Sequence, residues 1–328
     1  MVSYVIRRVL YMIPTVILIS IISFLIIQAP PGDFLTSRLQ QLQETMGNLA
    51  ESEIDFLRTR YGLDRPLHEQ YLKWITNIIL HNDWGQSFAQ NRPVRDILRE
   101  RVPLTIVVTF VTLLVTWIVA IPLGVTSAVR QYSVFDYSFT FLAFVGRSVP
   151  EFLLALILMY IFYAAFGWSL GGLQSTSFHG APFSLAKVLD FLQHLVLPVI
   201  VIGAAGTASL VRVLRSMVLD ELGKQYVRTA RSKGLSERVV VWKHVFKIAV
   251  LPLISTIGWL LPQLVSGALI VSIVLNLPTT GAAMFSALME EDMYVAGSFI
   301  LILSTLTVVG TLLSDILLAV IDPRIRFD

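Results

Sequence analysis

The densest run of chemistry-bearing side chains lies at residues 212–247. Nine basic residues (Arg212, Arg215, Lys224, Arg228, Arg231, Lys233, Arg238, Lys243 and Lys247) stand there against Asp220, Glu221 and Glu237. Such a cluster can hold acidic groups of a partner by charge-assisted hydrogen bonds, but it makes and breaks no covalent bond. Groups for bond-making chemistry are not marked anywhere. Cysteine is absent, so there is no thiolate nucleophile or thiolate metal site. The five histidines are scattered and no H-E-x-x-H occurs. No phosphate-cradling G-x-x-x-x-G-K-[ST] is present, and Gly223-Lys224-Gln225 does not approach one. The chain therefore reads as a non-enzyme, with no catalytic residue, metal site or cofactor of its own.

Within the basic run, Tyr226–Lys233 reads as a helix with Tyr226, Ala230 and Lys233 on one face and Arg228 and Arg231 on its flank. Gly234 stops it. Ser236 is placed to cap a second helix through Val239, Val240, Trp242, Val245 and Phe246 to Leu251-Pro252. An ordinary positive-inside loop accounts for the charge of this segment but not for its helix–Gly–helix layout.

The elements that carry this elbow are apolar. Of 328 residues, 55% are hydrophobic and 14% charged, with a mean hydropathy of +0.73. A soluble domain carries about 25% charged residues, so a soluble globule and intrinsic disorder are excluded. The net charge of +3 is too small to point to nucleic acid. Uncharged windows at Val9–Ala29, Val102–Val129, Phe152–Ala186, Phe191–Val211, Ile248–Met289 and Tyr294–Ser314 predict an all-α integral membrane protein with six transmembrane helices. Gly167, Gly171, Gly172 and Pro182 shorten the third span, which starts before Pro150 and ends near Gly167. Pro278 limits the fifth to about 250–275. Pro122, Pro198, Pro252 and Pro262 are expected to kink or start helices. The first window reads as a retained span, because Ala29-Pro30-Pro31 is a poor cleavage site.

Fifteen of the 25 basic residues fall on one side if both termini, 130–150 and 212–247 are cytoplasmic. That topology follows the positive-inside rule. The domain reading is then 1–29 for the N-terminal segment and first helix, 30–101 for an extracytoplasmic helical insertion, and 102–328 for a five-helix core with the loop 212–247. In the insertion, Ser52-Glu53-Ile54-Asp55 resembles a capping pattern, and Gly62 ends the helix that follows. Pro66 starts another, with Leu67, Gln70, Tyr71, Trp74, Ile75 and Ile78 on one face.

Tyr226-Val-Arg-Thr-Ala-Arg-Ser-Lys-Gly-Leu235, followed by Leu251-Pro252, resembles the "EAA" loop of permease subunits of binding-protein-dependent ABC importers. Its form is similar to that of the oligopeptide/dipeptide/nickel branch. Tyr4-Val-Ile-Arg-Arg8, Ile13-Pro14-Thr15, Pro31-Gly-Asp33, Tyr61-Gly-Leu-Asp64, Gln70-Tyr71, Trp74, Asp83-Trp-Gly-Gln-Ser87, Gly146-Arg-Ser-Val-Pro150 and Ile321-Asp-Pro-Arg-Ile-Arg326 carry the likeness along almost the whole chain. It most resembles the first permease of the pair. The resemblance implies a type I ABC importer permease fold in a bacterial or archaeal cytoplasmic membrane. It implies a second homologous permease subunit, two cytoplasmic ATPases that bind ATP and Mg, and an extracytoplasmic binding protein that delivers solute. It also implies that Tyr226, Arg228, Thr229, Ala230, Arg231, Lys233 and Gly234 form the coupling helix that sits in an ATPase groove. Arg228 stands where the general family loop has Glu, as is normal for this branch.

Peptide permeases of the branch read E-x-x-F/Y-x-x-P-G-x-G near the end of the fifth span. Here Ser272 replaces the acid and Thr279 the first Gly, and Leu275-Asn-Leu-Pro-Thr279 looks more like relatives associated with oligosaccharides. Peptide and oligosaccharide both stay open. Ser266, Ser272, Asn276, Thr279 and Thr280 are candidate pathway residues. A self-sufficient secondary transporter or channel is the alternative, but it would favour charged groups inside spans. Asp315 is the one acid well within a span and reads as interfacial. Arg147 and Glu151 fit an i,i+4 pair, and Asp190 and His194 flank the outer end of the fourth span.

Overall fold

Apolar helices longer than their uncharged windows dominate the computed structural model, which describes residues 2–28, 65–87, 89–251, 253–254 and 269–321. Helix α1 is Val2–Ile27, α2 is Leu67–His81, α3 is Val94–Val129, α4 is Val134–Ser148 and α5 is Glu151–Phe166. Helix α6 is Leu185–Leu222 and α7 is Gln225–Ser232. Helix α8 starts as Glu237–Val239, passes through a π-helical Val240–Val245 and returns to α geometry at Phe246–Ala249. Helix α9 is Thr280–Met289 and α10 is Met293–Ile321. Two short antiparallel strands, β1 (Gln86–Ser87) and β2 (Arg92–Pro93), pair Gln86 with Pro93 and Ser87 with Arg92.

Among the described residues, α1, α3, α6 and α10 are each long and apolar enough to cross a membrane. The bent pair α4 and α5 makes a fifth crossing if counted as one. The predicted fifth span falls largely outside the described residues, as do Ser52–Asp55, Gly62, Pro252, Pro262, Ser266 and the Ile321–Arg326 motif apart from the last helical residue of α10. Apolar residues that face no protein are as expected for a hydrocarbon solvent: Leu10, Leu18, Phe110 and Ile118 are more than half exposed.

The chain divides into two compact units. The first comprises 1–7, 104–282 and 309–328, and the second 8–103 and 283–308. In the second unit, α2 follows Pro66 as its pattern predicts and turns Gln70, Trp74 and Ile78 inward. Phe24 of α1 packs on Tyr71 and Trp74, and Ser20 shares a 2.7 Å hydrogen bond with the Tyr71 hydroxyl. Val94, Ile97 and Leu98 at the start of α3 and Val295, Ala296 and Phe299 of α10 complete that core. The i, i+3, i+4 spacing of Val94, Ile97 and Leu98 explains why α3 begins before its uncharged window.

In the first unit, one core joins Ala120, Val125 and Ala128 of α3 to Leu210, Leu214 and Val218 of α6 and to Val240, Val241 and Val245 of α8. Another joins Leu195, Leu197, Val201 and Ile202 of α6 to Val108, Ala155, Val271 and Leu275. Pro122 and Pro198 lie inside unbroken helices, α3 and α6. Membrane helices tolerate proline where neighbours re-satisfy the freed carbonyls. Pro150 behaves differently. Helix α4 ends at Ser148, Val149 is extended, and α5 leaves at a 108° bend. The residue before a proline is steered out of helical geometry, so the predicted third span begins after Pro150, not before it. Gly167 closes α5 in the left-handed conformation, as expected.

Candidate functional site

Helix α6 carries the basic run out of the apolar layer. Its 38 residues span about 57 Å at 1.5 Å per residue, well beyond a hydrocarbon core of about 30 Å. Arg212 and Arg215 therefore sit on a span, not in a loop. The Arg215 guanidinium donates two hydrogen bonds to the Asp136 carboxylate, both 2.7 Å. Asp136 also accepts from the Tyr132 backbone N–H at 3.0 Å, while its own N–H is capped by Ser133. That pair fastens the start of α4 to α6.

A short turn at Gly223 leads from α6 into α7. Val227 and Ala230 of α7 are buried in the core of α3, α6 and α8. The Tyr226 hydroxyl donates to Glu221 at 2.7 Å. Burial, followed by the Glu221 carboxylate, pushes the Tyr226 phenol pKa up. Arg228, Thr229, Arg231, Ser232 and Lys233 are all exposed. Arg231 is held by Glu237 at 2.6 Å, whereas the Arg228 side chain makes no hydrogen bond or ion pair among the described residues. Thr229 donates to the Gln225 carbonyl at 3.1 Å. The helix thus has an apolar root and a cationic outer face.

Gly234 has φ +73°, and its N–H reaches Arg231 O at 2.9 Å while Leu235 N–H reaches back to Ala230 O. A left-handed residue is what lets the chain reverse into α8. Ser236 takes the N-cap position of α8, but its side chain makes no capping bond. Sequence reasoning missed Val227, whose i,i+3 spacing to Ala230 was the available signal, and the Tyr226–Glu221 bond. It also gave no sign of the π-helical segment.

The predicted pathway residues fall elsewhere in the first unit. Thr279 donates to Ser272 at 2.9 Å, and Thr105 of α3 donates to Thr280 at 3.0 Å while accepting from its backbone N–H at 2.8 Å. Ser272, Thr279 and Thr280 are buried. Asn276 is exposed with φ +50° at the turn between them. Ser266 lies outside the described residues. Thr105, Thr109, Thr112 and Thr116 form a buried polar stripe along α3 that sequence reasoning did not single out. Thr112 and Thr116 meet Gly203 of α6, where a Cβ would come within 3.1 Å of the Thr116 hydroxyl. Small residues give membrane helices this close approach.

Asp190 accepts from the Ser175 backbone N–H at 2.8 Å and from its hydroxyl, and His194 Nδ1 lies 2.8 Å from the Asp190 carbonyl. The hydroxyl points to the carboxylate rather than to the imidazole, so this is a loop anchor and not a nucleophile. Arg147 and Glu151 do not pair. Pro150 breaks the helix between them, and Arg147 instead donates to Ser209 at 2.9 Å.

Known protein families and relatives match almost the whole chain. Residues 120–327 match the binding-protein-dependent transport system inner membrane component family, and 1–109 match the N-terminal region of the same membrane component. The chain belongs to this family. It is 35% identical to the oligopeptide transport system permease protein AppB of Bacillus subtilis, over 100% of both chains. It is 33% identical to a putative peptide permease protein of Brucella suis and 30% identical to the inner membrane ABC transporter permease protein YejB of Escherichia coli O157:H7, over 99% of each. This family member is thus a multi-pass membrane protein and a permease subunit of an ABC importer. As a permease component, it is not the enzyme of the system.

Proposed function

We propose that the chain forms half of a six-helix-per-subunit pathway for short peptides. Both termini and residues 212–247 face the cytoplasm, and 30–101 form an outer insertion. A second permease completes the pathway, two ATPases bind ATP and Mg, and an external binding protein delivers the peptide. Peptide is preferred over oligosaccharide because the relatives' names speak of peptides along the full length of the chain. Loss of the acid at Ser272 removes one partner for a peptide amino group, so recognition of charge falls to other residues or to the binding protein.

The observation that carries this reading is the elbow Gln225–Ser232, Gly234 and α8. Its buried root at Val227 and Ala230 makes it move with α6, while Arg228, Arg231 and Lys233 face outward. A rigid cationic knob on a span is what a soluble motor needs in order to push on a membrane helix. Ser272, Asn276, Thr279, Thr280 and Ser266 are the proposed pathway group.

Because the chain has no cysteine, topology can be tested directly. Single cysteines at Ser232→Cys and Gln90→Cys should react with an impermeant maleimide from opposite sides. Reaction of both from the same side refutes the topology. Peptide uptake into vesicles should require the ATPases and the loaded binding protein. Uptake by this chain alone, or uptake of oligosaccharide but not peptide, refutes the assignment.

A further inference from the structure

A cavity of about 380 Å³ opens between α4 and α6. Arg147, Arg212 and Arg215 line it together with Thr140, Ser216 and Asp220. Arg215 is committed to Asp136. Arg147 spends one N–H on Ser209, and the Arg212 side chain makes no hydrogen bond or ion pair among the described residues. A guanidinium carries five donors, so most of those on Arg147 and Arg212 are available. Counting Asp136 and Asp220, the cavity keeps a net charge of +1.

A second cavity, about 330 Å³, adjoins the first and shares Ala143, Ala208 and Val211 with it. Its floor is built of small residues, Gly146 on α4 and Gly203, Ala204 and Thr207 on α6. Its walls are Val115, Val119, Leu123, Phe139 and Leu142. Along α6 it runs from Val199 to Val211, about 18 Å at 1.5 Å per residue. One leaflet of the hydrocarbon core is about 15 Å deep. The ring of Tyr137 on α4 is exposed, and tyrosine is enriched at the level of lipid headgroups.

We propose that these joined cavities bind one anionic phospholipid, its phosphate on Arg147 and Arg212 and an acyl chain in the apolar groove. Basic pockets between membrane helices on the cytoplasmic side are suited to anionic headgroups. An acidic side chain of a neighbouring protein would use the guanidiniums but would leave a leaflet-long apolar groove unfilled. The cytoplasmic placement of this pocket rests on the proposed topology. Lipid retention in nanodiscs, where both leaflets are accessible, does not depend on it, so the two readings fail separately.

The test uses the assembled transporter in phosphatidylcholine nanodiscs doped with phosphatidylglycerol, with bound lipid read by native mass spectrometry. The wild type should retain phosphatidylglycerol over phosphatidylcholine. The double variant Arg147→Gln/Arg212→Gln should bind it about thirtyfold more weakly, the loss of two arginine–headgroup contacts. Gly146→Leu keeps both arginines and fills the groove. A Cβ at Gly146 meets nothing within 4 Å, so the helix tolerates it. This variant should also lose phosphatidylglycerol while leaving any inorganic phosphate binding unchanged. Equal retention of the two lipids overturns the proposal. So does competition by inorganic phosphate or glycerol phosphate at the same affinity, which identifies a small-anion site. A cross-link from Arg212→Cys to the partner permease in place of lipid overturns it as well.

Discussion

Gly234 shows what a single φ angle contributes. No heavy atom lies within 4 Å of the position a Cβ would take there, so bulk is not what selects glycine. The left-handed backbone is, and it costs a non-glycine L-residue about 1–2 kcal/mol. Gly234→Ala should therefore destabilise the elbow by that amount and lower the ratio of transport to ATP hydrolysis. Gly234→Asn, which tolerates this region, should be close to wild type. Equal effects of the two, measured on the reconstituted transporter, would mean that φ is not the constraint. Asp292 is the converse case, a side chain whose environment sets its charge. It accepts from Ser87 at 2.5 Å and from the backbone N–H groups of Ala89 and Val295 at 3.4 Å, capping α10. Burial nonetheless holds its carboxyl above the ordinary range, with the Ser87 bond opposing. A raised folded pKa favours the protonated state on folding. Its stabilising contribution is full below the unfolded value of about 3.9 and is lost as pH rises through the folded value. Ser87→Ala removes a donor to the charged form and should cost about 1–3 kcal/mol near neutral pH, shrinking as pH falls. Hydrogen exchange of the Val295 amide against pH checks this, and Asp292→Asn should flatten the profile. A pH-independent penalty for Ser87→Ala would contradict the assignment.

Between elements, the Asp136–Arg215 pair is the fastening that the sequence hid. Its partners are 79 residues apart, and no local pattern joins them. Asp136 is buried and the Arg215 side chain is 26% exposed, so the arginine partly rehydrates when the acid is removed. Asp136→Asn should cost about 1.5–3 kcal/mol, the range for a hydrogen bond to a charged group. The double variant Asp136→Asn/Arg215→Gln should cost less than the sum of the two single changes. Strict additivity in thermal unfolding would show that the pair carries no coupling. The same contrast between local and distant signals explains what was legible in the sequence. The amphipathic α2 after Pro66, the Gly167 stop and the Tyr226–Gly234 elbow were readable because each is set by residues within a few turns. Helix ends beyond the uncharged windows were not, since charged residues interrupt hydropathy but not hydrogen bonding. So α3 starts at Val94 and α6 runs on to Leu222. Pro150 outweighed the i,i+4 spacing of Arg147 and Glu151. The π-helical Val240–Val245 follows from no pattern we can name in its residues.

At the scale of the whole molecule, low charge and high hydropathy already required a lipid solvent, and the loop motif pointed to a family that spans the full chain. What composition cannot give is how the proposed elbow would meet a partner, and the placement of its charges bears on that. Arg228 and Arg231 look equivalent in sequence, two cations three residues apart. In the structure, Arg231 already lies against Glu237 while Arg228 faces outward with no ion pair among the described residues. A cation without a partner in the free chain gains more from an acidic partner than one that must first leave its own. Both are solvent-exposed, so each contact is worth at most about 1 kcal/mol and is screened by salt. Arg228→Glu should therefore weaken co-purification of the ATPases more than Arg231→Glu, by up to about fivefold, with the gap narrowing as salt rises. Insertion should be unchanged, because neither side chain contributes to the Val227 and Ala230 root, and the exposed Arg231–Glu237 pair that Arg231→Glu breaks is worth at most about 1 kcal/mol. Equal losses for the two variants, or losses insensitive to salt, would show that the ATPase does not read the outer face of α7 by charge. Val227→Ser should behave in the opposite way. It leaves every cation in place but loosens the root from the core it shares with α3, α6 and α8, so ATPase docking should persist while ATP hydrolysis no longer drives uptake. Retained coupling in Val227→Ser would mean that the force reaches the spans by another route than α7.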